Sequence, residues 1–134
     1  GDLDEVLELC ALDEGLIPCI DFGHLYARSL GADDGPEAFA RMLDRVEEVL
    51  GPERAGRFHS HFSRIEFTPK GGERRHRTFA DHGGFGPSWE PLAREVARRG
   101  WGPTFICESA GSQAEDAAEM KRTYLDCFGQ GEGA

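Results

Sequence analysis

Apolar side chains recur every three or four residues in four segments of the chain, and this spacing predicts four amphipathic helices. The clearest example begins at Pro36 and ends at Leu50, with Gly51 directly after the last apolar residue. The first predicted helix starts among acidic residues, which the helix dipole favours at that end. The four segments are residues 3–12, 36–50, 87–99 and 112–128.

Three short runs typical of strands lie between these helices, and the first and third are apolar, as in buried parallel strands. They cover residues 16–21, 57–63 and 104–108. The first run ends on Asp21 and the third on Glu108. Pro18 argues against a central position for the first strand, because proline cannot donate a hydrogen bond to a neighbouring strand. In the second run, the two-residue period of a strand places His59 and His61 on one face.

The predicted order is helix, strand, helix, strand, a long polar loop at residues 64–86, helix, strand and helix. Strands that alternate with helices predict an α/β fold with a parallel sheet and right-handed crossovers. A closed barrel of eight such units needs about 250 residues, whereas this chain has 134. Because three parallel strands alone leave two long edges, we expect residues 1–128 to be an incomplete part of a larger α/β structure, followed by a flexible tail at 129–134.

Composition narrows the class of protein. The chain is 39% hydrophobic and 30% charged, which is typical of a globular protein. No apolar run approaches the roughly 20 residues of a membrane span, and the acidic start of the chain differs from a signal peptide.

The four cysteines form no C-x-x-C pair, and Cys19 and Cys107 lie in apolar runs. We therefore expect buried, reduced thiols in a cytoplasmic protein with no membrane partner.

Metal-ligating side chains stand at the end of each predicted strand, where parallel α/β proteins gather their ligands. Histidine and carboxylate groups together suit Zn²⁺ or Mn²⁺. The candidates exceed the four ligands of one tetrahedral ion, so we expect more than one metal. The strand ends supply Asp21, His24, His59, His61 and Glu108, and the polar loop adds Glu73, His76, Asp81 and His82.

Several of these residues also have a purely structural explanation. Asp21 could cap the turn after its strand, and His24 could be a half-buried turn residue. One of His59 and His61 is expected to be structural, because both would crowd a single ion. A structural role is harder to assign to Glu108, because an unpaired carboxylate at the end of an apolar strand is costly to bury.

Four segments, taken in order, resemble one known family. They are Asp21-Phe22-Gly23-His24, His61-Phe62-Ser63, Gly72-Glu73-Arg74-Arg75-His76 and Ile106-Cys107-Glu108-Ser109. They are similar to the D-x-x-H segment, the histidine-bearing seventh strand, the acid-arginine-histidine loop and the L-E-T-P type segment of the endonuclease IV family. These apurinic/apyrimidinic endonucleases are xylose-isomerase-like TIM barrels.

The resemblance implies a partial (β/α)8 barrel, about strands six to eight with their helices, and zinc-dependent hydrolysis of DNA phosphodiester bonds at abasic sites. It implies that Asp21, His61 and Glu108 help to bind one zinc, and that His24 and His76 bind another with an acid from the loop. Asp21 and Glu108 would act in catalysis. The complete enzyme would hold two or three Zn²⁺, with Mn²⁺ as the alternative.

The chain departs from the family pattern in two ways. The family has an acid two residues before the loop histidine, where this chain has Arg74, so Glu73 is the candidate acid and Asp81 with His82 the alternative. The family's earlier strands, with two histidines and a bridging glutamate, have no counterpart here. We therefore expect the isolated chain to be inactive and to need its missing N-terminal barrel half or an oligomeric partner.

Abasic DNA as the partner receives partial support from the charge of the polar loop. Within residues 64–77 of this loop the five basic residues exceed Glu66 and Glu73 by three charges, and a local basic patch can hold phosphates on an acidic protein of net charge −10. In most proteins such a run is only a solvated surface. The candidate DNA-binding residues are Arg64, Lys70, Arg74, Arg75 and Arg77.

Two rival functions fit the same residues. A sugar isomerase or epimerase on the same barrel would use similar Asp, His and Glu ligands for one or two metals. Alternatively, the chain is an inactive fragment or a non-catalytic subunit. Metal count and cleavage of an abasic oligonucleotide distinguish the first rival from the nuclease.

Overall fold

The computed structural model of the chain describes residues 2–70, 72–77, 84–109 and 111–132, with the side chains of Glu73 and residues 129–132 left out. Within these residues the fold is mixed α/β and contains no closed barrel. The helices are α1 (Leu3–Cys10), α2 (Phe22–Arg28), α3 (Pro36–Leu50), α4 (Pro52–Ala55), α5 (Trp89–Arg99) and α6 (Gln113–Glu132). The strands are β1 (Cys19–Asp21), β2 (His59–Phe62), β3 (Arg64–Thr68), β4 (Gly72–Arg77) and β5 (Thr104–Cys107).

The predicted parallel sheet is confirmed as a sheet of three strands in the order β1-β2-β5. Its register aligns Asp21 with His61, and His61 with Ile106. Pro18 lies just before β1, which is an edge strand of this sheet, as the proline predicts. Both strand pairs are parallel, so the carboxyl ends of all three strands lie at one edge.

The core lies on one face of this sheet, where the helices pack. Alternate strand residues Ile20, Ser60 and Phe62 are buried on that face. Phe22, at the junction of β1 and α2, contacts four aromatic rings at centroid distances of 5.9 to 6.4 Å. Helix α3 buries five of the six residues of its predicted apolar stripe, and the sixth, Val49, is partly buried against the core; the five are Phe39, Met42, Leu43, Val46 and Leu50.

The opposite face of the sheet is largely open in the described residues. Cys19, His59, Thr104 and Ile106 are exposed, and the Ile106 side chain is 49% exposed. Parallel sheets are normally covered on both faces. The expectation of four buried cysteines is therefore wrong for Cys19, which points away from the helix-covered face. Cys10 and Cys127 are buried as expected, and Cys107 is only partly buried.

The polar segment predicted as a loop instead contains an antiparallel hairpin of β3 and β4. Ile65 is fully buried there and forms a small second core with Tyr26 and Ala27 of α2, against which Phe67 and Phe85 pack. Gly23 of α2 permits the close approach of β3, because a Cβ at this position would lie 2.6 Å from Ile65 Cγ1 and 2.9 Å from the Ser63 carbonyl oxygen.

Three further differences concern helices. The short helices α2 and α4 were not predicted. Helix α6 continues to Glu132, whereas the prediction ends it at residue 128, before Gly129. Among the helices of the described residues, none has both the length and the apolar composition needed to cross a membrane.

Candidate metal centre

Three predicted ligands converge where the parallel strands end. Asp21 is the last residue of β1, His61 is the third residue of β2, and Glu108 directly follows β5. The register places Asp21 beside His61. Because side chains alternate across a strand, both lie on the open face and not among the core residues Ile20 and Phe62.

The three side chains approach closely enough to share a cation. Each offers one ligand atom, and these atoms lie within 4.8 Å of one another. His61 Nδ1 lies 3.1 Å from Glu108 Oε1. Ligands of a tetrahedral zinc are about 3.3 Å apart at bond lengths of about 2.0–2.1 Å, so movements of about 1 Å would complete the geometry. An imidazole with two carboxylates suits Zn²⁺ or Mn²⁺, so these residues fit the metal that the sequence predicts.

All three side chains are only partly buried. The His61 side chain is 37% exposed and that of Glu108 is 35% exposed. Structural zinc sites close around the ion with four protein ligands, whereas catalytic sites keep a position open. Among the described residues the group offers three ligand atoms, so an ion held here would have at least one coordination position left for another group.

Asp21 also caps a helix. Its Oδ1 accepts a hydrogen bond of 2.9 Å from the backbone N–H of His24, at the start of α2. The helix N-terminus favours a negative charge at this position. The cap confirms the structural explanation of Asp21 and also orients its carboxylate, whereas metal binding by Asp21 stays a prediction.

Replacing Asp21 separates these two roles. Asparagine caps helices about as well as aspartate, whereas alanine costs about 1 kcal/mol of stability. We therefore expect Asp21→Asn to unfold near the wild-type urea midpoint, and Asp21→Ala to unfold at lower urea. Both variants should bind Zn²⁺ more weakly in a chelator competition. Undiminished Zn²⁺ affinity in Asp21→Asn would leave Asp21 with the capping role alone.

Two of the other predicted histidines, His76 and His24, flank this group without joining it. His76 of β4 contacts Ser63 Oγ through Nδ1 at 2.5 Å, and its Nε2 lies 3.9 Å from Glu108 Oε2. His24 lies beside Asp21 in a cavity of about 220 Å³ that Cys19 also lines. The group within mutual reach comprises only Asp21, His61 and Glu108 among the described side chains.

The carboxylates of the candidate acids in the polar segment all lie outside the described part of the structure. Glu73 is part of β4, but its side chain is not described. Asp81 and His82 lie outside the described residues. The acid that would accompany His76 is therefore still a prediction.

The predicted DNA-binding residues lie on the hairpin. Arg64 begins β3, and the exposed Lys70 follows that strand. Arg74, Arg75 and Arg77 of β4 all contact the carboxylate of Glu66. These three arginines are therefore engaged within the chain and are not simply a solvated charge run.

Two residues near the site were missed in the sequence. Glu66 is buried on β3, where the alternation of Ile65 and Phe67 around it could have indicated a strand. Ser63 follows β2 and holds His76. No local signal identifies Ser63, because its partner comes from another strand.

Comparison with known proteins yields one informative relative. The chain is 50% identical over 76 residues to the uncharacterized protein MJ0133 of Methanocaldococcus jannaschii. The matched segment is 57% of this chain and 27% of the relative, so the chain matches about a quarter of a protein that is about twice as long. No protein-family model matches the chain, and no solved structure matches it significantly.

Proposed function

We propose that this chain contributes part of a metal-dependent site that hydrolyses DNA phosphodiester bonds at abasic positions. The observation that carries the proposal is the convergence of Asp21, His61 and Glu108 within 4.8 Å at the ends of three parallel strands. These residues are also the first ligand set implied by the resemblance to endonuclease IV.

In this proposal, Asp21, His61 and Glu108 bind the first Zn²⁺, with Mn²⁺ as the alternative ion. The α2 cap orients Asp21, and Ser63 orients the His76 ring. His24 and His76 bind a second ion with the Glu73 carboxylate. Such cations polarise a phosphoryl oxygen and lower the pKa of water. Asp21 and Glu108 are the residues that we propose to act in catalysis.

We propose that the sheet is part of a (β/α)8 barrel, about strands six to eight. Support comes from the open face, where Cys19, His59, Thr104 and Ile106 are exposed although parallel sheets are normally buried on both sides. A relative about twice as long adds support, because it carries sequence beyond the matched part. In the complete enzyme, an N-terminal half or a partner chain would cover this face and supply the remaining ligands.

DNA binding in the presence and absence of zinc tests this function without requiring a complete active site. We expect the chain to bind a duplex with a stable abasic analogue more tightly with Zn²⁺ than with EDTA, as measured by fluorescence anisotropy. The matched control is the same duplex without the lesion, which should show a smaller zinc effect. Equal binding of both duplexes under both conditions would contradict the proposal, and zinc-dependent aldose isomerisation would favour the sugar isomerase.

A further inference from the structure

A buried glutamate lies at the centre of the arginine cluster on the hairpin. The Glu66 side chain is only 10% exposed. Its Oε2 lies 3.3 Å from Arg74 Nε and 3.0 Å from Arg75 Nε, and its Oε1 contacts Arg77 Nη2. Among the described side chains, three guanidinium groups therefore surround one carboxylate, which leaves the cluster with an excess of positive charge.

A β-bulge brings two consecutive arginines to this carboxylate. Glu66 is aligned with Arg75, and the next residue, Phe67, is aligned with Glu73, so the register skips Arg74. In a regular strand, neighbouring side chains point to opposite faces. A bulge places two residues opposite one and redirects their side chains. Arg74 and Arg75 can therefore both reach Glu66.

The arginines remain accessible although they contact Glu66. The Arg74 side chain is 64% exposed and that of Arg75 is 57% exposed. Arg77, whose side chain is 19% exposed, donates the hydrogen bond that most strongly lowers the pKa of Glu66; burial opposes this effect and the other arginines add to it. Glu66 is thus a stable anion at neutral pH, and its charge restrains two guanidinium groups that face solvent.

The cluster adjoins the candidate metal centre. His76 lies between Arg75 and Arg77 on β4, and its Nε2 is 3.9 Å from Glu108 Oε2. An anion held by Arg74 and Arg75 would therefore lie on the strand that delivers His76 to the metal ligands. The chemical class that fits paired guanidinium groups at such a place is a phosphate group.

We propose that Glu66 is a positioning residue that holds Arg74 and Arg75 in place to bind a backbone phosphate of the nucleic acid. This inference rests on the proposed function, because it takes DNA as the partner. The contacts of Arg74 and Arg75 with Glu66 Oε2 are ion pairs, because that oxygen accepts no hydrogen bond. Side chains restrained by such a charge lose less conformational freedom when they bind, so we expect them to bind phosphate more tightly than unrestrained arginines.

The proposal is tested by whether Glu66→Gln weakens or strengthens the binding of DNA. Glu66→Gln removes a negative charge, and charge alone would make binding of DNA tighter. Loss of positioning has the opposite effect: we expect Glu66→Gln to weaken binding at least about threefold and to reduce the slope of log affinity against log salt by about one phosphate contact. The matched control, Glu53→Gln on the exposed surface of α4, should leave binding unchanged or slightly tighter. Unchanged or tighter binding by Glu66→Gln would overturn the proposal.

A second comparison separates positioning from misfolding of the hairpin. In a chain that already carries Arg74→Gln and Arg75→Gln, adding Glu66→Gln should no longer weaken binding, because the residues through which Glu66 acts are absent. If the weakening persists in this background, Glu66 has only a structural role and the proposal is wrong. Thermal unfolding of each variant shows whether the fold is retained.

Duplexes with and without the abasic lesion, measured with Zn²⁺ or with EDTA, distinguish a failure of this proposal from a failure of the proposed function. A backbone phosphate is present in any duplex, so the Glu66 effect should appear with the intact duplex and with EDTA. If the effect is present but abasic DNA is not preferred, the abasic-site function is wrong and the positioning role stands. If abasic DNA is preferred in a zinc-dependent way but Glu66→Gln does not weaken binding, the positioning role alone is wrong.

Discussion

Replacing Glu108 with glutamine should lower the affinity of the chain for Zn²⁺ by more than about 100-fold, because removal of residues that merely support metal ligands already costs 10- to 100-fold. Glu108 is the member of the group that faces both histidines, at 3.1 Å from His61 Nδ1 and 3.9 Å from His76 Nε2. Glutamine keeps the shape of the side chain but removes the negative charge that the cation requires. Competition with a chromophoric chelator measures the affinity.

Glu115→Gln is the matched control, since Glu115 is an exposed acid in the first turn of α6. This variant should bind Zn²⁺ like the wild type. If Glu108→Gln binds Zn²⁺ as tightly as the wild type, the ion is held by other residues and the proposed function loses its main support.

Replacing Phe22 with alanine should lower the free energy of unfolding by about 3–5 kcal/mol, as expected for a large aromatic side chain in a packed core. Phe22 is 1% exposed and contacts the rings of Phe39, Phe58, Phe62 and Phe105. The loss is a large part of the roughly 5–15 kcal/mol that stabilises a typical domain. Equilibrium unfolding in urea measures it.

Phe128→Ala provides the comparison for this core variant. Phe128 is 36% exposed on α6 and packs edge-to-face on Tyr124 at 4.8 Å. Its truncation should cost about 1 kcal/mol or less, because much of the ring is already in water. Equal losses of unfolding free energy for the two variants would mean that Phe22 is not a central residue of the core. The Phe22 variant should also bind Zn²⁺ more weakly, since Phe22 directly follows the ligand Asp21.

The helices and parallel strands were predictable because their signals are local. Helix α3 buries all but one of the apolar positions that its period of three to four residues identifies, and it begins and ends at the predicted residues. Asp21 and Glu108 were identified as strand-end carboxylates in the same way. A seven-residue helix such as α2 carries too few periods for such a prediction, although a cap of the turn after the first strand was one explanation of Asp21, and this residue caps α2.

The hairpin was not predictable to the same extent. Strand β3 contains the alternating Ile65 and Phe67, but β4 reads Gly-Glu-Arg-Arg-His-Arg and has no apolar residue. It is a strand because it pairs with β3, and that pairing is a non-local interaction. The bulge at Arg74 and the burial of Glu66 follow from the same register.

Residue types, their order and their periodicity were enough to identify the α/β class, the parallel strands and the set of candidate ligands. The distances between those ligands depended on how the strands align. Asp21, His61 and Glu108 are far apart in the chain, and they meet because β1, β2 and β5 pair in one parallel register. The hairpin brings His76 Nε2 to 3.9 Å from Glu108 Oε2. Such alignment minimises the free energy of the whole fold, and no short segment contains that information.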